Sequence, residues 1–173
     1  MGNIIYAIPS GGGGASHDEL IVTSEHNITL LGNGRTHMNY DKILYQEGDS
    51  FINYDVTTGF WTVSEDTLMS VEIQSNLESY GNAWLTYRIF EANTANINDT
   101  TGTQGQIYYC YTFGFTEFPI IKCRPNYYYF VAAYKANSGN WTMTKSENDS
   151  TTGLYQMKNF AKFVKKNGVY TPT

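Results

Sequence analysis

The run Tyr127-Tyr-Tyr-Phe-Val-Ala-Ala-Tyr134 constrains this chain more than any other segment, because it is apolar or aromatic on both faces. A strand wet on one side alternates apolar and polar residues, so this one belongs at the centre of a sheet or under a neighbouring subunit. The segments before and after it are short, β-prone and stopped by turn residues. Leu20-Ile-Val-Thr is one strand, and Ile28-Thr-Leu-Leu ends at Gly32-Asn-Gly. Lys42-Ile-Leu-Tyr stops at Gly48-Asp49, and Phe51-Ile-Asn-Tyr-Asp runs to Thr58-Gly59 before Phe60-Trp-Thr-Val. Strands of this length between such turns predict an all-β sandwich.

Further along, Leu68 to Gln74 sets Met69, Val71 and Ile73 against a mostly polar face. Trp84 to Glu91 is another strand, ended by a polar loop from Asn93 to Gly105. Ile107, Tyr109, Tyr111, Phe113 and Phe115 are expected on one face of a single strand. Ile120-Ile-Lys-Cys leads into the turn Arg124-Pro-Asn, and Asn140 to Thr144 is a short strand before a polar stretch from Ser146 to Thr152. The tail fits two patterns. Leu154, Met157, Ala161 and Val164 have helical spacing, whereas Phe160-Ala-Lys-Phe-Val reads as a strand.

Composition narrows the function classes. The chain has 173 residues, enough for one core, and aromatics make up 16% of it. Eleven basic residues against sixteen acidic ones give a net charge of −5. Nucleic-acid affinity rests on Lys and Arg neutralising phosphates, so DNA and RNA are excluded as general partners. Residues 1–150 hold seven basic and sixteen acidic groups, while the tail carries Lys158, Lys162, Lys165 and Lys166 and no acid. That asymmetry marks a solvated strand face or an acidic neighbour. No stretch is long and apolar enough for a membrane span. The opening residues lack a basic segment, and their apolar run is too short for a secretory leader. The expectation is therefore a particle or cell-surface protein made without one.

Residues 1–18 read as an arm and 19–173 as the head. Ile4, Ile5, Tyr6, Ala7, Ile8 and Pro9 form a β-prone hexad, followed by Ser10 and the glycines 11–14. An apolar strand on a flexible tether is suited to pairing with another protein's open sheet edge. These six residues are the expected anchor to a capsid or spike base.

Catalytic signatures are absent: there is no Gly-X-Ser-X-Gly elbow, phosphate loop, His-Glu-X-X-His or Cys-X-X-Cys. Glu65 and Asp66 are adjacent and would point to opposite faces of a strand. Asp18 with Glu19, and Asp41 with Glu47, lack the spacing of a calcium loop. His17, His26 and His37 read as exposed loop residues. Cys110 and Cys123 read as buried small hydrophobes, with a disulfide between neighbouring strands as the other option. No metal or cofactor is expected. Trp61, Trp84 and Trp141 are candidates for stacking on sugar rings, with core packing as the alternative.

Tyr40-Asp-Lys-Ile-Leu-Tyr-Gln-Glu-Gly-Asp-Ser-Phe followed by Tyr54-Asp-Val-Thr-Thr-Gly-Phe-Trp-Thr-Val resembles the globular head of the complement-q family, a jelly roll shared with tumour necrosis factor. Arg124-Pro-Asn-Tyr-Tyr-Tyr-Phe resembles the family's turn into a late aromatic strand, and Phe160-Ala-Lys-Phe-Val its closing strand. The likeness spans residues 20–167, with Ser64-Glu-Asp-Thr-Leu-Met standing where the family has Pro-Gly-aromatic. It implies a jelly-roll sandwich of two antiparallel sheets, a strand in the tail, no enzymatic activity and a trimer. Such heads also occur on viral spikes, head fibres and spore filaments. Tyr127, Tyr129, Val131 and Tyr134 are the expected threefold contact, an ordinary central strand being the alternative.

These readings converge on a non-enzymatic virion surface protein, with a phage as the leading case. It is expected to be homotrimeric, a spike, head fibre or capsid decoration, anchored by its arm and capable of meeting host-surface glycan. The alternative is a spore-coat or secreted lectin-like adhesive head.

Overall fold

Residues 18–48, 50–77, 85–110, 113–135 and 138–167 are described by the computed structural model, the side chains of 103–110 and 113–115 excepted. The hexad Ile4–Pro9 expected to be the anchor, the glycine run, His17 and Trp84 lie outside these residues, as do the side chains of Ile107, Tyr109, Cys110, Tyr111, Phe113 and Phe115.

Among the described residues every element is a strand, and none is a helix able to cross a membrane. In chain order they are β1 Glu19–Thr23, β2 Ile28–Leu30, β3 Arg35–His37, β4 Lys42–Glu47 and β5 Asn53–Tyr54. Then come β6 Trp61–Thr62, β7 Thr67–Asn76, β8 Leu85–Ala92, β9 Thr100–Cys110 and β10 Phe113–Cys123. The last are β11 Tyr128–Lys135, β12 Trp141–Met143, β13 Glu147–Asn148, β14 Tyr155–Gln156 and β15 Phe160–Lys165. One sheet has the order β10-β7-β15-β1-β4; the other runs β5-β6-β11-β8-β9, with β3 also on β11. All pairings are antiparallel.

Alternation decides which side chains fill the gap between the sheets. Met69, Val71 and Ile73 of β7 point inward, while Glu72 and Gln74 stay partly wet. Leu20 and Val22 of β1 stand opposite Phe163 and Ala161 of β15, all four buried. From the other sheet come Trp61, Tyr87, Ile89, Tyr129 and Val131. Phe163 meets Trp61 edge-on, ring centres 5.0 Å apart, and so ties the tail strand to the facing sheet.

Turn chemistry fixes the hairpin before β6. Asp55 accepts from the Thr57 amide at 2.8 Å and the Thr58 hydroxyl at 2.7 Å, and Gly59 follows at φ 71°. A side chain at Gly59 would be strained there, and its Cβ would lie 2.9 Å from Asn39 Cα.

Three expectations change. The run from Ile107 to Phe115 is not one strand. Residues up to Cys110 pair with β8 and those from Phe113 with β7, so the chain passes from one sheet to the other. The polar loop from Asn93 ends early, because Thr100 to Gly105 already belong to β9, an edge strand where backbone pairing suffices and polar side chains are tolerated. The polar stretch after Ser146 contains β13, paired with β14. In the tail, Phe160 to Lys165 form a strand rather than a helix, since Phe160, Ala161 and Phe163 are all buried between β1 and β7. Three of the four tail lysines meet acids of their own chain: Lys158 meets Glu147, Lys162 meets Glu19, and Lys165 meets Asp18 and Glu65.

Candidate binding surface

The doubly apolar strand β11 is central, between β8 on one side and β6 and β3 on the other. Its two faces have different fates. Tyr129 and Val131 point into the sandwich with 0% and 1% of their surface exposed, and Tyr129 stacks on Trp61 with ring centres 6.0 Å apart. Both are closed to a neighbouring subunit, which corrects the expectation that they form a threefold contact. Tyr127 and Tyr134 are partly exposed. Two of the candidate sugar platforms are likewise closed. Trp61 is 1% exposed inside the core. Trp141 is 8% exposed, and the Lys135 ammonium lies 4.6 Å over its ring.

The outward face of the same sheet carries a second aromatic cluster that the sequence reading did not single out. Register sets its rows. Tyr134 of β11 pairs with Arg35 of β3, Ala132 with both His37 and Arg88, and Phe130 with Phe90 of β8. Phe130 is fully buried, with Phe60, Phe90 and His37 at 5.0, 5.3 and 5.1 Å between ring centres. Arg35 lies 5.3 Å over Phe90, and its Nη2 donates to the Ile97 carbonyl at 2.6 Å. Arg88 lies 4.6 Å over Tyr134. Neither guanidinium has a carboxylate within ion-pair distance among the described residues. Arg35-Thr36-His37 offers no apolar signal, and Arg88 occupies an ordinary polar position in an alternating strand, so periodicity did not separate them from solvated residues.

His37 is a strand residue in this cluster, not an exposed loop histidine as expected. Burial lowers its pKa to about 4, opposed by a hydrogen bond with the Gly59 backbone and assisted by the Arg35 charge.

At the end of the sheet Glu91, 2% exposed, collects donors from three elements. Arg124 gives Nη2 to Oε1 at 2.7 Å and Nε to Oε2 at 3.3 Å, the Tyr129 hydroxyl donates at 2.9 Å, and the Thr101 hydroxyl at 3.0 Å. Burial pushes the Glu91 carboxyl up, and the bonds from Arg124, Tyr129 and Thr101 outweigh it, leaving the pKa below the usual glutamate value. The tyrosine closes the loop by accepting the Arg124 amide at 2.8 Å. A carboxylate this enclosed fixes the β10–β11 turn and has no free oxygen face for a substrate. The neighbouring Cys123 is a free buried thiol whose pKa burial pushes up to about 12, which leaves it inert as a nucleophile. Elsewhere, Asp41 accepts from the Glu25 amide and sits 2.8 Å from His26 Nδ1. No group of three or more metal-ligating side chains occurs among the described residues.

No family model matches the sequence, and no curated protein matches it. Solved structures do. Murine APRIL at pH 8.5 superposes with a TM-score of 0.56 and 10% identity over 87% of this chain and 99% of that one. The Eiger TNF of S. frugiperda gives 0.54 and 12% over 91% and 98%. PRD1 vertex protein P5 gives 0.51 and 10% over 90% and 100%. The chain has the TNF-like jelly-roll fold. It also shares that fold with a vertex protein, as the resemblance read from residues 20–167 implied.

Proposed function

We propose that this chain is the non-enzymatic, trimeric head of a virion surface protein, a phage spike, head fibre or capsid decoration. Residues 1–18 hold it to a capsid or spike-base protein through Ile4, Ile5, Tyr6, Ala7, Ile8 and Pro9. The head faces the host. The observation that carries this reading is the likeness to PRD1 vertex protein P5 over 90% of this chain. The apolar hexad ahead of a glycine tether adds an anchor suited to strand addition. With Tyr129 and Val131 inside the subunit, Tyr127, just ahead of β11, is what remains of the proposed threefold contact there, and Tyr134 stands on the outward face beside Arg88.

Deleting residues 1–16 tests the anchor. The truncated head is expected to unfold at the same temperature as the full chain and to be missing from purified particles. Continued incorporation would refute the anchor. Light scattering at micromolar concentration tests the trimer, and a monomer mass would overturn it.

A further inference from the structure

We infer that the outward face of the six-stranded sheet binds an acidic glycan, a sugar carrying a carboxylate or phosphate, with Arg35 and Arg88 holding the anion and Tyr134 supplying the ring contact. The inference rests on the reading of the head as host-facing, and it names the ligand class. It begins from how the cations are distributed. Lys42, Lys122, Lys145, Lys158, Lys162, Lys165 and Arg124 each have a carboxylate of their own chain within 4 Å. The Lys135 ammonium donates to the carbonyls of Ser138 and Gly139. Arg35, Arg88 and the exposed Lys166, which follows the last strand, have no carboxylate partner among the described residues, and of these the two arginines share one sheet face, in a chain with sixteen acids to eleven bases. Two of its three arginines thus keep their charge available on one face.

Both guanidiniums are also held in place. Arg35 is tied to the Ile97 carbonyl and lies over Phe90; Arg88 lies over Tyr134, which pairs in register with Arg35. Stacking occupies the face of a guanidinium and leaves its edge donors free for oxygen atoms. A side chain already held loses little further freedom when a ligand arrives. Arg88 Nε is shielded from water and has no hydrogen-bond partner among the described residues, so an anion nearby offsets a desolvation the protein leaves unmet. On the middle strand Tyr134 stands opposite Arg35 and Ala132 opposite Arg88, so the two arginines flank β11 from either side, two residues apart in register.

The ligand class follows from charge and shape. A net charge of −5 repels a dense polyanion such as nucleic acid, whereas two guanidiniums match a sparse anion. Partly exposed tyrosine beside them suits the apolar face of a sugar ring.

The test titrates the purified chain at low salt with hyaluronan, which carries one carboxylate per disaccharide, a sparsely phosphorylated mannan and neutral dextran, for the wild type, Arg88→Gln, Arg35→Gln and a Lys166→Gln control. At least one acidic polymer is expected to bind and dextran not to. Each arginine variant should weaken binding by about tenfold or more, the usual scale of a charge-assisted hydrogen bond, while the control stays unchanged. Raising salt to about 0.5 M should abolish the interaction. Which polymer binds separates carboxylate from phosphate as the recognised group. No binding to either acidic polymer, equal binding by Arg88→Gln, or equal binding of dextran would overturn the inference. Arg88→Lys, which keeps the charge and loses the fork, guards against a folding defect and should fall between wild type and Arg88→Gln. Particles that still incorporate a non-binding head would remove this inference and leave the proposed virion role intact.

Discussion

The two outward faces of the sandwich solve the same problem in opposite ways. On the five-stranded sheet, Lys162 sits 3.1 Å from Glu19, Lys122 is 3.4 Å from Asp66, and Lys165 is shared between Asp18 and Glu65 at 3.8 and 3.7 Å. Each of these lysines is paired within the chain, and the buried apolar residues outside the main core are Ile21, Met157 and Phe160, with Leu44, Tyr45 and Tyr155 packed against them. On the six-stranded sheet, Phe60, Phe90 and Phe130 form a second buried cluster with two arginines over its rings. A lysine-rich tail is the louder signal in the sequence, yet all of it but Lys166 is absorbed locally. The quieter arginines of the opposite face are left without a carboxylate partner among the described residues, so residual charge after pairing singles out a face that gross charge does not.

The largest expected effect tests whether the outer cluster is a true second core. Phe130 is as buried as Phe163 of the inner core. Truncating either to alanine should cost about 3–5 kcal/mol, read from denaturant unfolding. A loss below about 1 kcal/mol for Phe130→Ala would mean that the outer cluster closes over the gap or never packs, and the comparison would fail there.

Acid should act next, and through the outer face. His37 is a base whose folded pKa is lowered from 6.5 to about 4. The unfolded chain therefore takes up the proton first. Its contribution is complete above about pH 6.5 and lost progressively as pH falls towards 4, in total about 3 kcal/mol at about 1.4 kcal/mol per unit. His37→Gln should flatten the fall in stability between pH 6.5 and 4.5, where the carboxylates contribute little. An unchanged slope would show that His37 is solvated in the folded protein.

Much of this architecture is legible in the residues, and the illegible parts share a cause. Met69, Val71 and Ile73 alternate cleanly, and the two phenylalanines near the tail mark a strand. The run from Tyr127 to Tyr134 says that both faces are covered but not by what. Its cover comes from β3, Phe60 and Phe90, and β3 has no apolar residue in Arg35-Thr36-His37 to announce it. Trp61 and Trp141 look the same in sequence whether they stack on a ligand or on Tyr129 and Lys135. Local pattern carries burial; long-range register carries identity of the neighbour, and the candidate site is built almost wholly from register.

Breaking the Glu91 lock should come third in size. Arg124 is half exposed, so solvent screens part of the pair. Glu91→Gln keeps the shape, removes the charge and leaves the fork of Arg124 facing a neutral amide, for a loss of about 2 kcal/mol. The same carboxylate, with its pKa held low, contributes above its unfolded value and loses that contribution as pH falls below about 4.5. Glu91→Gln should therefore remove acid sensitivity below pH 4.5 while leaving the His37 window intact, a separation visible in one set of pH-dependent melts.

The smallest effect is predicted where ion pairs are most numerous. Lys162 and Glu19 lie 3.1 Å apart with about a fifth of each side chain exposed, and Glu72 stands across from both Lys162 on one side and Glu117 on the other. Lys162→Gln removes the cation from a row that then holds Glu72 and Glu117, with Glu19 on the strand beside it, so the loss combines one weak pair with added repulsion. Exposed pairs contribute about 0–1 kcal/mol, and salt shrinks both parts. The loss should therefore stay below about 1 kcal/mol at low salt and vanish near 1 M salt in the same unfolding assay. A loss above about 2 kcal/mol that persists at high salt would make the row structural. Pairing would then no longer distinguish one face from the other, and the lack of carboxylate partners at Arg35 and Arg88 would lose its meaning as a sign of a ligand.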